Sequence, residues 1–181
     1  MRSPLFTALA AVLAATLLSA CSGLPKSEAG RASLEQSARA AVARFKARDP
    51  SMREFFDEGY GYAVFPSVGK WGAGVGGAYG TGVVFEQEEP IGYCDLTQGS
   101  IGFQLGGQAY SEIIFFERSS ALRHFKSGNL EFAAQASAVA VSAGASADAN
   151  YENGVVVFTM STGGLMFEAS VGGQKFNYEP K

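Results

Sequence analysis

The chain has 181 residues, of which 47% are hydrophobic and 17% are charged, and its formal net charge is −3. That length fits one domain with a hydrophobic core of its own. The acidic balance argues against a nucleic-acid partner, because domains that bind nucleic acids present clustered positive charge.

Residues 1–20 have the features of a secretory leader: Arg2 is followed by a 14-residue apolar core. This core is shorter than the about 20 apolar residues that cross a bilayer. The letters LSAC end the leader and are typical of a bacterial lipobox. We therefore predict cleavage before Cys21 and attachment of diacylglycerol and an amide-linked acyl chain such as palmitate. The alternative is an ordinary leader whose cleavage site lies beside a cysteine.

Ser22 stands where an aspartate would indicate retention in the inner membrane, so we expect an anchor in the outer membrane. If Cys21 carries lipid, Cys94 has no cysteine left to pair with, and no intramolecular disulfide is expected. Free cysteine is among the most buried residue types, so Cys94 is predicted to be a buried strand residue rather than a nucleophile.

The segment beside the expected anchor is basic. Lys26 to Arg53 carries seven basic and three acidic residues, whereas the remainder, from Glu54, carries six basic and fourteen acidic residues. A basic segment beside an anchor suits an anionic lipid surface; the alternative is a solvated helix face. The predicted lipid-binding residues are Lys26, Arg31, Arg39, Arg44, Lys46 and Arg48, together with Lys70 and Trp71.

Two helices are predicted before residue 60. Residues 21–32 are expected to form a polar tether, and a helix is predicted over 33–47 because Ser33 and Gln36 match a capping box. Its alanine-rich apolar stripe either docks on its own domain or lies in a lipid interface. A second, short helix is predicted to be capped by Asp49 and to end at Gly59.

From Tyr60 onward the hydrophobic period changes to two, which predicts strands. Later, a brief helix is expected at 119–125, capped by Ser119, and a small-residue strand around Val139 and Val141. Two closing strands, "GVVVFTM" and "LMFEASV", are expected to form a hairpin through "STGG". The fold class is α+β, with N-terminal helices followed by a glycine-rich, curved antiparallel β-assembly. The first strands are predicted at 61–65, 73–79, 82–86, 91–97 and 101–116.

The stretch "WGAGVGGAYGTG", residues 71–82, contains the pattern G-x-G-x-x-G at Gly72, Gly74 and Gly77. Dinucleotide binding needs a helix that opens directly after these glycines. Two more glycines and several β-branched residues follow instead, and they favour extended chain. We therefore predict that the glycines let backbones approach closely or bulge, and that no cofactor is bound.

Three segments together resemble the SYLF domain: "DEGYGYAVFPSVGKWGAGVGGAYGTGVVF", "GSIGFQLGGQAYSEIIFF" and "FTMSTGGLMFEASVGG". The resemblance covers residues 33–181, the predicted domain. It implies a non-enzymatic module that binds anionic phospholipids, phosphoinositides in eukaryotic members. Eukaryotic members also carry SH3 or FYVE domains and engage actin machinery, and those roles are not expected here.

No catalytic motif is present. His124 is the one histidine and is expected to lie on the surface, and no spacing suggests a zinc site. There is no G-x-S-x-G elbow, so we expect neither an enzyme nor a bound metal. Two functions remain open besides an improbable hydrolase: a lipid-anchored module that binds phospholipid, and an envelope protein that its lipid merely tethers while the domain binds a protein or the cell wall.

Overall fold

The computed structural model describes residues 23–132, 138–161 and 171–181. The leader, Cys21, the "STGG" turn and most of the predicted last strand at 165–171 lie outside the described residues. Helix α1 spans Glu28–Arg48, α2 spans Arg53–Glu58 and α3 spans Ser119–Lys126. The strands are β1 (Gly61–Glu86), β2 (Glu89–Phe116), β3 (Val139–Ala140), β4 (Val155–Ser161) and β5 (Gln174–Pro180).

Helix α1 begins five residues earlier than predicted, at Glu28, because Ser27 caps it. The Ser27 hydroxyl accepts a hydrogen bond from the Gly30 amide at 3.1 Å, and Glu28 adds an acidic group to the first turn. The end of the predicted tether is therefore helical. The apolar stripe docks on its own domain, since Ala38 and Phe45 are fully buried in the core between α1 and the sheet.

Asp49 joins the end of α1 to a distant loop. Its carboxylate accepts the Ser51 amide at 3.1 Å, as the predicted cap requires, and also the amides of Gly144 and Ser146 at 3.1 and 2.8 Å. Burial raises its pKa, but these hydrogen bonds outweigh burial and hold the pKa well below its usual range. The strand predicted around Val139 and Val141 is limited to two residues, because turns held by Asp49 follow it.

Five strands were predicted between residues 61 and 116, but the structure has two long strands there, β1 and β2. β1 and β2 form one antiparallel hairpin whose ladder runs from Gly61 paired with Phe116 to Glu86 paired with Glu89. The glycines shift the register, for example between Gly72 and Gly74, without ending the ladder. The prediction of separate strands was wrong. Glycine lowers the intrinsic strand propensity of a segment, but pairing with the neighbouring strand decides whether the segment is a strand.

Three glycines of β1 lie where the first part of the strand meets its last part. A Cβ on Gly82 would come within 2.5 Å of the Val64 carbonyl oxygen, and one on Gly61 within 2.6 Å of the Phe85 carbonyl oxygen. A Cβ on Gly80 would lie 2.9 Å from Val68 Cγ2 and 3.0 Å from the Ser67 carbonyl oxygen. Residues with side chains do not fit at such distances, so glycine is required for this backbone approach.

Within the described residues the sheet has five strands in the order β1-β2-β4-β3, and β5 pairs with the first part of β2. All pairs are antiparallel except β3 with β4. One core lies between the sheet and the helices α1 and α2, and the other lies beneath α3 and β5. The fold is therefore α+β with N-terminal helices. Every described residue of the two cores falls between Leu24 and Tyr178.

Candidate functional site

A cavity of about 920 Å³ opens beside Trp71. Trp71 is 55% exposed, and it is the one large hydrophobic side chain exposed to that degree among the described residues. Such a volume lies in the upper range of small-molecule sites. The lining residues come from β1, β2 and β5 and from the chain that precedes α1: Gly23, Gly69, Trp71, Ala78, Tyr79, Asp95, Thr97, Gln98, Gly99, Gly173 and Lys175. We call this the Trp71 cavity.

Paired glycines form the floor of the Trp71 cavity. Gly77 on β1 pairs with Gly99 on β2, and the Trp71 indole lies over Gly77, where a Cβ would meet Cζ2 at 3.2 Å. A Cβ added to Gly99 meets no described atom within 4 Å. The glycines of the G-x-G-x-x-G pattern therefore lie in a β-ladder, as predicted, and one of them supports the indole.

The polar groups of the Trp71 cavity already contact other parts of the protein. Lys175 forms an ion pair with Glu131 at 3.0 Å, and Asn177 donates to Asp95 at 2.8 Å. The Gln98 amide donates to the Gly172 carbonyl at 2.7 Å. With these charges engaged at the edge, the interior offers the indole, glycine backbone and small side chains, which suit an apolar ligand.

The chain enters the fold at the Trp71 cavity. Gly23 lines it, and Cys21 lies two residues before Gly23, within about 7 Å at the reach of an extended chain. Lys26 is exposed on the same entering segment. Lys70 is half-buried and, as the neighbour of Trp71 in a strand, points to the opposite face, so these two residues do not form one patch.

The predicted basic residues of α1 fall into two groups. Arg31 pairs with Glu179 and lies over the Tyr93 ring, and Lys46 lies 4.2 Å from the centre of the Phe56 ring. Arg39 lies 5.3 Å from the centre of the Phe85 ring. Arg31 and Arg39 thus contact the sheet, although Arg39 is exposed, and Lys46 contacts α2. Arg44 and Arg48 are also exposed. They lie near the end of α1 that is remote from Lys26, roughly 30 Å away at the rise of an α-helix.

A second, charged cleft of about 400 Å³ lies beside the start of α1. Glu35 accepts hydrogen bonds from Tyr93 at 2.6 Å and Lys181 at 2.7 Å. Burial raises the Glu35 pKa, but the bonds to Lys181 and Tyr93 prevail and lower it. Arg31 and Lys181 of this cleft are engaged by Glu179 and Glu35, whereas Lys26, which also lines the cleft, forms no ion pair among the described residues.

Neither candidate reactive group, Cys94 or His124, lines the two cavities described above. Cys94 is fully buried in β2 and free, as predicted for a strand residue, and burial raises the pKa of its thiol. His124 is exposed on α3, as expected. That helix is preceded by Arg118, and Ser119 does not cap it. None of the described helices is long and apolar enough to cross a bilayer.

The sequence reasoning missed Glu112. It is fully buried in β2, and Gln174 of β5 donates to its Oε2 at 3.0 Å. Its Oε1 and the Thr159 hydroxyl have no hydrogen-bond partner among the described residues. Burial raises the Glu112 pKa to about 8, so the carboxyl is neutral at pH 7. The alternation Tyr110, Glu112, Ile114 in the sequence indicated this inward position.

Comparison with known proteins finds a family match in the second half of the chain. Residues 97–180 match the Ysc84 family model, described as "Las17-binding protein actin regulator". Beta cell expansion factor A of Aeromonas veronii is 27% identical over 147 residues, which cover 81% of this chain and 56% of that protein. The chain thus matches little more than half the length of that relative. The SYLF resemblance seen in the sequence is confirmed.

Proposed function

Because residues 97–180 match the Ysc84 (SYLF) family model, we propose that the chain is a lipid-anchored module that binds anionic phospholipid. Cys21 carries the lipid, the anchor lies in the outer membrane, and the domain performs no catalysis. Phosphoinositide-like headgroups are the ligand class that the family resemblance implies. The partner is thus the membrane surface itself.

The observation that carries this proposal is the shared position of Gly23 and Trp71 on one cavity. An acylated Cys21 would hold this end of the molecule at the membrane. A half-exposed tryptophan belongs at such an interface, where its ring is partly in the apolar layer and its N–H meets water. One diacylglyceryl group and one amide-linked chain exceed the two chains that stable anchoring requires.

Positive charge near this end supports the same orientation. Lys26 is exposed, and the exposed Lys175 ammonium lies on the cavity wall, where its partner Glu131 is also largely exposed. Surface ion pairs of this kind are weak and exchange readily for other anions. Each cation close to an anionic leaflet contributes about 1 kcal/mol, and the contribution fades over ~10 Å at 0.1 M salt.

Flotation with liposomes tests the proposal on residues 22–181, which contain all described core residues. We expect recovery with anionic vesicles at low salt, and little recovery with neutral vesicles or at high salt. Equal recovery on both lipids would contradict lipid recognition and favour the alternative, an envelope module that binds a protein or the cell wall. Mass spectrometry of the native protein tests the anchor, and an unmodified N-terminus downstream of Cys21 would disprove it.

Two matched double variants test the orientation. Lys26→Glu with Lys175→Glu reverses charge near the Trp71 cavity, and Arg44→Glu with Arg48→Glu makes the same change at the far end of α1. We expect the first pair to weaken binding to anionic vesicles by at least about thirtyfold, since two cations contribute about 2 kcal/mol. The second pair should change it by less than about threefold. A larger loss with the second pair would show that α1 makes the contact instead.

A further inference from the structure

We propose that the Trp71 cavity takes up one acyl chain of a membrane phospholipid. This inference rests on the proposed function, because the membrane supplies the ligand. It goes beyond surface attraction, since the headgroup would stay at the edge while a single chain leaves the bilayer and lies against the protein.

The chemistry of the lining selects the ligand class. The charged side chains of the lining, Asp95 and Lys175, are engaged with Asn177 and Glu131 at the edge. The rest of the lining is mostly uncharged and apolar: the Trp71 and Tyr79 rings, Ala78 and the glycine backbone, with Thr97 and Gln98 as its polar side chains. An apolar chain can cover such a surface without stripping water from an unpaired charge, whereas a polar ligand would find few groups to pay for its lost hydration.

The glycine floor gives the cavity its depth. Gly77 and Gly99 are cross-strand partners, and neither presents a side chain to the cavity beside the indole. Among the described residues, a Cβ added to Gly99 meets no atom within 4 Å, so this part of the floor is open. A flexible chain of methylene groups fits a shallow slot of this kind and gains about 0.8 kcal/mol for each buried CH₂.

The position of the anchor brings the phospholipid to the cavity. Cys21 lies within about 7 Å of Gly23, so an anchor in the bilayer would hold the opening at the level of the headgroups. Neighbouring phospholipids are then present at high effective concentration, and uptake of one chain becomes an intramolecular step. The lipid attached to Cys21 could reach the same space, and the experiment must separate these two sources.

Trp71 is the only tryptophan of the chain, so its fluorescence reports on this cavity alone. Residues 22–181 are titrated, without vesicles, with a dibrominated stearate below its micelle concentration, because bromine quenches tryptophan only at short range. We expect saturable quenching with one stearate per protein. Gly99→Phe fills the open space and should weaken stearate binding by about tenfold or more. Gly99→Ala is the matched control and should bind like the native sequence.

The same variants are then tested in flotation, and their thermal unfolding is compared. Gly99→Phe should still float with anionic vesicles, so that loss of the cavity is separated from loss of membrane binding. If Gly99→Phe unfolds, Gly99→Leu replaces it. Equal quenching in all variants, or quenching that does not saturate, would overturn the proposal.

The source of the chain is tested with the lipidated protein. If phospholipid is the ligand, the cavity is empty in detergent-free lipidated protein and the brominated stearate quenches Trp71 as it does in residues 22–181. Lipidated protein that resists quenching, while Cys21→Ser responds, would overturn the phospholipid and assign the cavity to the lipid of Cys21. In vesicles of phosphatidylglycerol with brominated acyl chains, the Trp71 fluorescence of the Gly99→Phe protein should be quenched less than that of the Gly99→Ala protein.

Discussion

The predicted lipid-binding residues lie mainly in two regions, helix α1 and the surroundings of the Trp71 cavity. Their side chains differ in what they contact. The cations Arg31, Arg39 and Lys46 contact acidic or aromatic partners within the protein. At the cavity, Trp71 is half exposed and the entering chain carries the exposed Lys26. The number of basic residues in a segment therefore overstates how many are available to bind a membrane. Much of the positive charge of α1 has a structural role.

The largest expected effect separates the two regions by stability. Phe45 is fully buried beneath α1, so Phe45→Ala should lower the free energy of unfolding by about 3–5 kcal/mol. Trp71→Ala should lower it by about 1 kcal/mol or less, because half of the side chain is exposed. Urea unfolding followed by circular dichroism measures both. Similar losses would mean that Trp71 is a core residue rather than a binding residue.

A matched pair of glycines sharpens the comparison within the sheet. Gly82→Ala places a Cβ within 2.5 Å of the Val64 carbonyl oxygen and should cost about 1–3 kcal/mol of stability. Gly99→Ala meets open space and should be neutral within about 0.5 kcal/mol. Thermal unfolding distinguishes them, and neither protein should bind NAD or ATP in calorimetry. Equal stability of the two variants would contradict the close approach in β1.

An effect of another kind depends on pH and acts on the strand that forms the cavity wall. Gln174 donates to Glu112 and directly precedes Lys175 in β5. Glu112 has a folded pKa of about 8, above its ordinary value of 4.5, so the folded state keeps a proton that the unfolded state has lost. This group's contribution to stability is fully present below about pH 4.5 and is lost as the pH rises to about 8, at up to about 1.4 kcal/mol per pH unit.

Glu112→Gln should remove this slope, because the amide is neutral at every pH and keeps a similar shape. Unfolding in urea at several pH values between 5 and 8 would measure the slope of the free energy in both proteins. Hydrogen exchange should show that the loss at high pH is greatest in β5 and least in α1. The same slope in both proteins would assign the pH dependence to other groups.

The sequence was sufficient to predict the class of fold. It also predicted the role of side chains that interact with residues close to them in sequence. The change of period at Tyr60 predicted the strands, and Asp49 was predicted as a cap from its neighbours in sequence. The leader, Cys21 and its lipid remain predictions, as does the curvature of the β-assembly. What local pattern could not supply was pairing over long distances. The ladder of β1 with β2, the loop bound by Asp49 and the ion pair of Lys175 all join residues far apart in sequence.

The same limit applied to the site. Trp71 and Lys70 were predicted as one patch because they are adjacent, but neighbours in a strand point to opposite faces. Gly23 and Gly99 were not predicted at all, since only the fold brings them beside Trp71. The start of α1 was misplaced because Ser27 and Ser33 are both suitable caps, and the earlier one is used.

The position of Trp71 in the membrane-bound protein is the most direct test of the orientation. Residues 22–181 are mixed with anionic vesicles whose phospholipids carry bromine at a shallow or a deep position of the acyl chain, and Trp71 emission is recorded. The account predicts a shift of the emission to shorter wavelength and strong quenching by bromine. Protein that floats with the vesicles while its emission stays unshifted and unquenched would contradict the placement of the Trp71 cavity at the membrane.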